Sequence, residues 1–333
     1  MKRRYNVAPA PHLRERTTTR RVMLDVCIAL LPAGLAGIWF FGLRAALLMI
    51  FSVAGAVCAE WVYQWITKRP YTVGDCSAVV TGLLLAYNLP PSAPRWMAVI
   101  GSAIAIVLVK QCFGGIGQNF MNPALAARAV LLASWAGVMS TWSMPTPGQW
   151  MVGLEAQAVD VIARATPLAV HAEDMAASSY KLRDLFLGGV PGTIGETSKL
   201  ALLIGGGYLL MRRVINWRIP VYFLGVMFLL TWLQTGTLYS YEAGADSALY
   251  QLLSGGAILG ALFMATDYAA APVTDWGKII YGVGCGLILF LFRAFHARMA
   301  EGCTYAILLM NVISPLIERA GRRRAFGEVK RRA

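Results

Sequence analysis

Residues 22–66 read VMLDVCIALLPAGLAGIWFFGLRAALLMIFSVAGAVCAEWVYQWI. Three of them are charged, Asp25, Arg44 and Glu60, and Arg44 falls between two apolar runs, 22–42 and 45–66. Each run is the length of helix that crosses about 30 Å of hydrocarbon. Comparable runs recur at 74–90, 96–112, 122–139, 197–211, 219–236, 250–266, 278–295 and 303–318. Together they predict an all-α polytopic membrane protein of about ten transmembrane helices.

The composition points the same way, with 57% of the 333 residues apolar and 14% charged, a balance a soluble domain of this length does not keep. The net charge of +13 is not a nucleic-acid signal, because the Lys and Arg residues sit at the ends of apolar segments and not on one continuous face. With the N-terminus inside, most of the basic residues fall in 1–21, 67–73, 110–121, 212–218, 267–278 and 319–333. That is the positive-inside pattern, and an even number of spans then puts both termini in the cytoplasm. The expected location is a lipid bilayer. The first twenty residues are basic and polar and run into a span with no A-x-A-like cleavage site, so no removable signal peptide is expected. The six cysteines are dispersed singly, with no C-x-x-C pair, and predict no metal site.

The long polar segment 140–196 divides the chain. The expected organisation is a basic cytoplasmic segment (1–21), a first five-helix repeat (22–139), an extracytoplasmic loop (140–196), a second five-helix repeat (197–318) and a basic tail (319–333). Laying 82–94 (GLLLAYNLPPSAP) over 260–272 (GALFMATDYAAAP) pairs Gly82 with Gly260, Leu84 with Leu262, Ala93 with Ala271 and Pro94 with Pro272. Five spans per half is odd, so the second repeat enters the membrane inverted, with shortened third helices at the repeat interface. Two unrelated glycine-rich packing helices are the plainer reading of the same residues.

Three polar constellations interrupt the apolar pattern. The first joins Asp75, Thr81 and Gly82 to KQCFGGIGQNFMNPALAARA (110–129), in which Gly114 and Gly115 permit close backbone approach to a ligand and Asn119 offers an amide. A tight re-entry turn accounts for it equally; a Walker loop is excluded by the absence of G-K-[ST]. The second, PGTIGETSKLA (191–201), places Glu196 and Thr197 at a helix start, which reads either as a cap or as an anion-binding terminus. The third, AVDVIARATPLAV (158–170), says little alone, since Thr before Pro is ordinarily an extended turn residue. Asp25, Glu60, Glu196 and Asp267 lie near span ends, and acids there face partners or a water-filled path.

With these stretches in view, the sequence resembles the D subunit of the Rnf complex and, more distantly, the B subunit of the sodium-pumping NADH:quinone reductase. The likeness runs from about residue 18 to residue 320, over DCSAVVTGLLLAYNLPPSAP (75–94), KQCFGGIGQNFMNPA (110–124), DVIARATPL (160–168) and LSGGAILGALFMATDYAAAPVT (253–274). What the resemblance implies is a flavoprotein subunit of a membrane complex that passes electrons between ferredoxin and NAD and moves Na⁺ or H⁺, built as inverted repeats related to urea channels. It further implies FMN joined through its phosphate to Thr166 by a flavin transferase, in a pattern matched by Asp160, Ala165 and Thr166 on a periplasmic loop. Ala163 stands where Ser or Thr is usual and Arg164 where Gly is common; Arg164 suits a phosphate by charge and bidentate contact. A second, non-covalent flavin, riboflavin or FMN, is expected nearer the cytoplasm, with Thr81, Gly82, Gly114, Gly115 and Asn119 as its walls. The chain has no nicotinamide fingerprint and no iron–sulfur cysteine set, so the partners implied are the A, B, C, E and G subunits, with the lipid bilayer and no nucleic acid. A small-solute channel or secondary transporter of the same architecture is the competing class, and a scaffold that has lost its flavin a third.

Overall fold

The computed structural model describes residues 17–148, 167, 180–238, 247–295 and 302–321. Among the described residues the fold is helical, without β-strands. Each of the ten apolar runs carries helix, though not always one continuous helix.

The first two runs join in one element, α1 (Thr19–Thr67), which opens where the Thr18 hydroxyl accepts from Arg21 N. It is not straight. Gly42 has φ 67° and ψ −156°, a conformation only glycine takes readily. Residues 34 and 49 would be about 22 Å apart along a straight helix, yet a methyl placed on Gly34 would lie 3.6 Å from Met49 Sδ. The limbs 19–41 and 43–67 therefore fold back as a hairpin.

The third run is shorter than a span. α2 (Ser77–Tyr87) begins where Asp75 Oδ1 accepts from Ser77 N at 2.8 Å and ends at Asn88, whose Nδ2 donates to Leu84 O at 2.6 Å before Pro90 and Pro91. Eleven residues rise about 16 Å, half of the hydrocarbon thickness. α3 (Arg95–Ala103) runs on into a π-helical segment, Ile104–Gln111. α4 (Pro123–Ser134) has proline in its first turn, where no N–H is missed, and Asn122 as cap, accepting from Ala124 N at 3.0 Å and Leu125 N at 3.3 Å. A short α5 (Ala136–Met139) follows, then α6 (Leu182–Leu187).

α7 (Lys199–Met211) is capped by Ser198, and α8 (Arg218–Thr235) succeeds it. The run 250–266 is broken into α9 (Ala248–Leu253), α10 (Ala257–Leu259) and a second π segment, Gly260–Met264, with Gly255 at φ 64° in the first break. α11 (Asp275–Phe295) and α12 (Gly302–Gly321) complete the chain's helices as described.

Among the described residues three helices, Thr19–Thr67, Arg218–Thr235 and Asp275–Phe295, are long and apolar enough to cross a bilayer. The surface is turned inside out relative to a water-soluble protein: Leu31, Leu35, Ile66, Leu233 and Leu316 are exposed, while Glu60, Gln64, Ser52, Ser102 and Asn311 are buried. Helices approach through small residues, as membrane helices do where the solvent is itself apolar. A methyl on Gly205 would come within 2.0 Å of Ala29 O, bringing α7 directly against α1.

Candidate cofactor cavity

A cavity of about 900 Å³ opens between the start of α1, the inner face of α2, the turn 110–119, the start of α4, the end of α7 and residues 263–269. That volume lies at the upper end of the range of roughly 300–1,000 Å³ found for small-molecule pockets. Val22, Val80, Leu84 and Phe263 give it apolar walls; Arg21, Lys110, Asn119, Arg212, Arg213 and Asp267 supply polar and charged ones.

The turn that closes one side is dictated by its glycines. Gly114, Gly115 and Gly117 have φ of 118°, 99° and 82°, values that L side chains rarely adopt, so the sequence FGGIGQ bends here and nowhere nearby. The bend aims Ile116, Gly117 and Asn119 at the cavity, and Asn119 Nδ2 donates to Met121 O at 3.2 Å.

Two ion pairs flank the cavity. Arg212 Nη2 lies 3.2 Å from Asp25 Oδ2, and the Tyr208 hydroxyl donates to Asp25 Oδ1 at 3.0 Å. Lys110 Nζ lies 2.9 Å from Glu60 Oε1, with Glu60 0% and Lys110 3% exposed. The same carboxylate oxygen also accepts from Gln111 Nε2 at 2.7 Å, Thr72 Oγ1 at 3.3 Å and Gln64 Nε2 at 3.4 Å. Lys110 donates in addition to Ser77 Oγ, which bonds to Asp75, so the network ties α1, α2 and the first π segment at one point. Asp267 stands apart: its Oδ2 is buried and has no hydrogen-bond partner among the described residues. Burial pushes its carboxyl up to about 6, with the Ala269 N–H acting in the opposite direction.

The residues singled out from the sequence divide in space. Thr81 and Asn119 line the cavity. Gly82 faces α1, where a methyl would lie 2.8 Å from Val53 Cα; Gly114 and Gly115 shape the turn without lining the cavity. Glu196 and Thr197 belong to a second region, a buried segment 190–199 in which Glu196 Oε1 accepts from Thr193 N at 3.1 Å and Thr197 Oγ1 donates to Ile194 O at 3.3 Å. The cap of α7 is Ser198, one residue beyond the pair. Lys199, 1% exposed, donates to Gly255 O at 3.0 Å and so fastens this segment to the break after α9. Asp160, Ala163, Arg164, Ala165 and Thr166 lie outside the described residues. Pro167, next in the chain, is buried, and Tyr250 of α9 donates to its carbonyl at 3.5 Å.

Sequence reading missed Lys110 as the partner of Glu60, fifty residues away, and missed Arg128, whose Nη1 donates to Asn88 Oδ1 at 2.5 Å. The available signal was the charge itself, a Lys and an Arg inside otherwise apolar or alanine-rich runs.

The model of the NQR2, RnfD, RnfE family matches residues 6–327. The chain belongs to this family. Among its relatives, the D subunit of the Na⁺-translocating ferredoxin:NAD⁺ oxidoreductase complex of Acetobacterium woodii is 48% identical over 327 residues, 97% of this chain and 96% of the relative. The D subunit of the proton-translocating ferredoxin:NAD⁺ oxidoreductase complex of Clostridium ljungdahlii is 37% identical over 331 residues, covering 97% and 96%. The D subunit of the ion-translocating oxidoreductase complex of Stutzerimonas stutzeri is 38% identical over 338 residues, covering 94% and 93%. The first two are named for different ions, so family membership leaves Na⁺ or H⁺ open for this chain.

Proposed function

We propose that this chain is the D-type membrane subunit of an ion-translocating ferredoxin:NAD⁺ oxidoreductase complex of the bacterial inner membrane. The observation that carries this reading is 48% identity to a subunit so named over nearly the whole of both chains. The reading includes ten membrane spans in two inverted five-helix repeats. In its support, Asn88 donates to Leu84 O and Thr266 Oγ1 to Leu262 O, at 2.6 and 2.7 Å, bonds at positions paired by the constant offset in the sequence alignment. Lys110 and Arg293 also correspond in role, since each donates near the start of a short helical piece of its own half, Lys110 to Ser77 Oγ at the start of α2 and Arg293 to Ser254 O in the break before α10.

In the same reading FMN is attached through its phosphate to Thr166 in the extracytoplasmic loop, and a second flavin is held without a covalent bond in the cavity. A flavin supplies one- or two-electron transfer when bound. The residues present fit such a group: the walls of Val80, Leu84 and Phe263 suit a planar ring system, Thr81 and Asn119 offer hydrogen bonds, and Arg21 and Arg213 offer charge to a phosphate or ring oxygen. The A, B, C, E and G subunits then supply the nicotinamide site and the iron–sulfur centres. Production of the chain together with a flavin transferase tests the attachment. A denaturing gel should show a band fluorescent under ultraviolet light, absent from Thr166→Ala; a band that persists in Thr166→Ala, or no band from the native chain, defeats it.

A further inference from the structure

Leu84 of α2 and Ala124 of α4 line the cavity, and one helical turn beyond them stand Asn88 and Arg128, 1% and 5% exposed and outside its lining. Arg128 donates to Asn88 Oδ1; Asn88 Nδ2 reaches Met264 Sδ at 3.7 Å, and Asn122 Nδ2 donates to Met264 O at 3.2 Å. The carboxyl ends of two short pieces, α2 and the π segment Gly260–Met264, thus meet at Asn88, which Arg128 holds. On the far side the buried segment 190–199 closes over them, with Ile194 N donating to Leu89 O at 3.2 Å and Gly195 N to Tyr87 O at 3.0 Å.

Helix carboxyl ends carry partial negative charge, and broken helices in membrane transporters use such ends to coordinate cations. Two of them converging in the middle of the protein would stabilise a mobile cation at this point. A guanidinium, held to Asn88 Oδ1 through its Nη1, stands there instead. We infer that Arg128 is the seal between the cavity and the opposite face, holding the position a passing Na⁺ or H₃O⁺ would need. The subunit then has no passive cation path through its centre, and any ion route through it requires Arg128 to leave the junction. The inference stands on the helix ends and the guanidinium and does not depend on a flavin in the cavity.

The experiment uses the assembled complex in liposomes without electron donor or acceptor. A potassium diffusion potential is imposed, and entry of ²²Na⁺ and of protons, the latter by an internal pH dye, is followed. Arg128→Ala should raise the leak of at least one of the two by about tenfold or more over the native complex, and guanidinium in the buffer should suppress that leak by refilling the space. Arg128→Lys, which keeps the charge but not the fork, should leak less than Arg128→Ala. Vesicles of Arg128→Ala as tight as the native ones, at equal content of assembled complex, overturn the inference; so does a leak that guanidinium leaves unchanged. Should Arg128→Ala fail to assemble, Arg128→Gln is read by the same two criteria.

Discussion

Lys110→Met should destabilise the protein severely, and the effect should reverse in part when Glu60→Gln is added. Glu60 is 0% exposed, and its Oε1 is held by Lys110 at 2.9 Å together with the Gln111, Thr72 and Gln64 donors. Its Oε2 has no hydrogen-bond partner among the described residues, so the network holds no spare cation to replace the ammonium. Removing one member of a buried pair costs about 3–5 kcal/mol, because the remaining charge stays desolvated without compensation. At about 1.4 kcal/mol per decade that is roughly two to three and a half powers of ten in the unfolding equilibrium. The Gln side chain in Glu60→Gln keeps a hydrogen-bonding carbonyl and removes the charge, so the double variant lacks an isolated buried ion and should recover at least about 1 kcal/mol against the sum of the singles. The assay is unfolding of the purified chain by a graded denaturing detergent, followed by helical circular dichroism, on the native protein, both singles and the double. A Lys110→Met protein within about 0.5 kcal/mol of native, or singles that add without coupling, would refute the buried-pair assignment.

Gly205→Ala should cut the yield of folded protein, with destabilisation of at least about 1–3 kcal/mol, since its methyl would meet Ala29 O at 2.0 Å and the two helices must part; Gly207→Ala, which meets nothing within 4 Å, is the matched control, and size-exclusion chromatography reads both. Asp267 gives a pH dependence: its carboxyl is pushed up to about 6 from an ordinary 3.8, so its protonated form favours the fold. That contribution is complete below the ordinary value and is lost as pH rises through about 6, so melting of the native chain between about pH 5 and pH 8 should fall more steeply than that of Asp267→Asn.

The helical membrane character was legible because it depends on residue type summed over long windows: 22–66 needs no partner to read as apolar helix. The break between its two limbs was legible too, at Arg44 between the runs 22–42 and 45–66; the two π segments were not, since they depend on which helices pack against them. The run 250–266 reads as one mostly apolar stretch, yet Gly255 and the pull of Lys199 and Arg293 on the carbonyls of Gly255, Gln251 and Ser254 divide it, and those two partners are set by tertiary packing. Of the cavity, the glycine turn at 114–117 was legible because positive φ selects glycine. The remaining walls come from five further stretches distant in sequence, and the pairs Glu60–Lys110, Asp25–Arg212 and Asn88–Arg128 bridge separations of 50, 187 and 40 residues. Such pairings become visible only when the helices are placed.

The first π segment has a consequence for how this site came to be. A π turn is an α-helix with one residue too many, and each added residue turns everything after it by about 100° about the axis. Ile104–Gln111 is the stretch that delivers Lys110 and Gln111 to the Glu60 carboxylate. Returned to regular α geometry by the loss of one residue, the same side chains would swing about a quarter-turn away, one donor leaving the carboxylate and a charge entering lipid or packing. The charge network and the irregularity of the helix are thus a single inherited unit: a lineage that gains or loses one residue in this stretch gains or loses the ammonium at Glu60 with it.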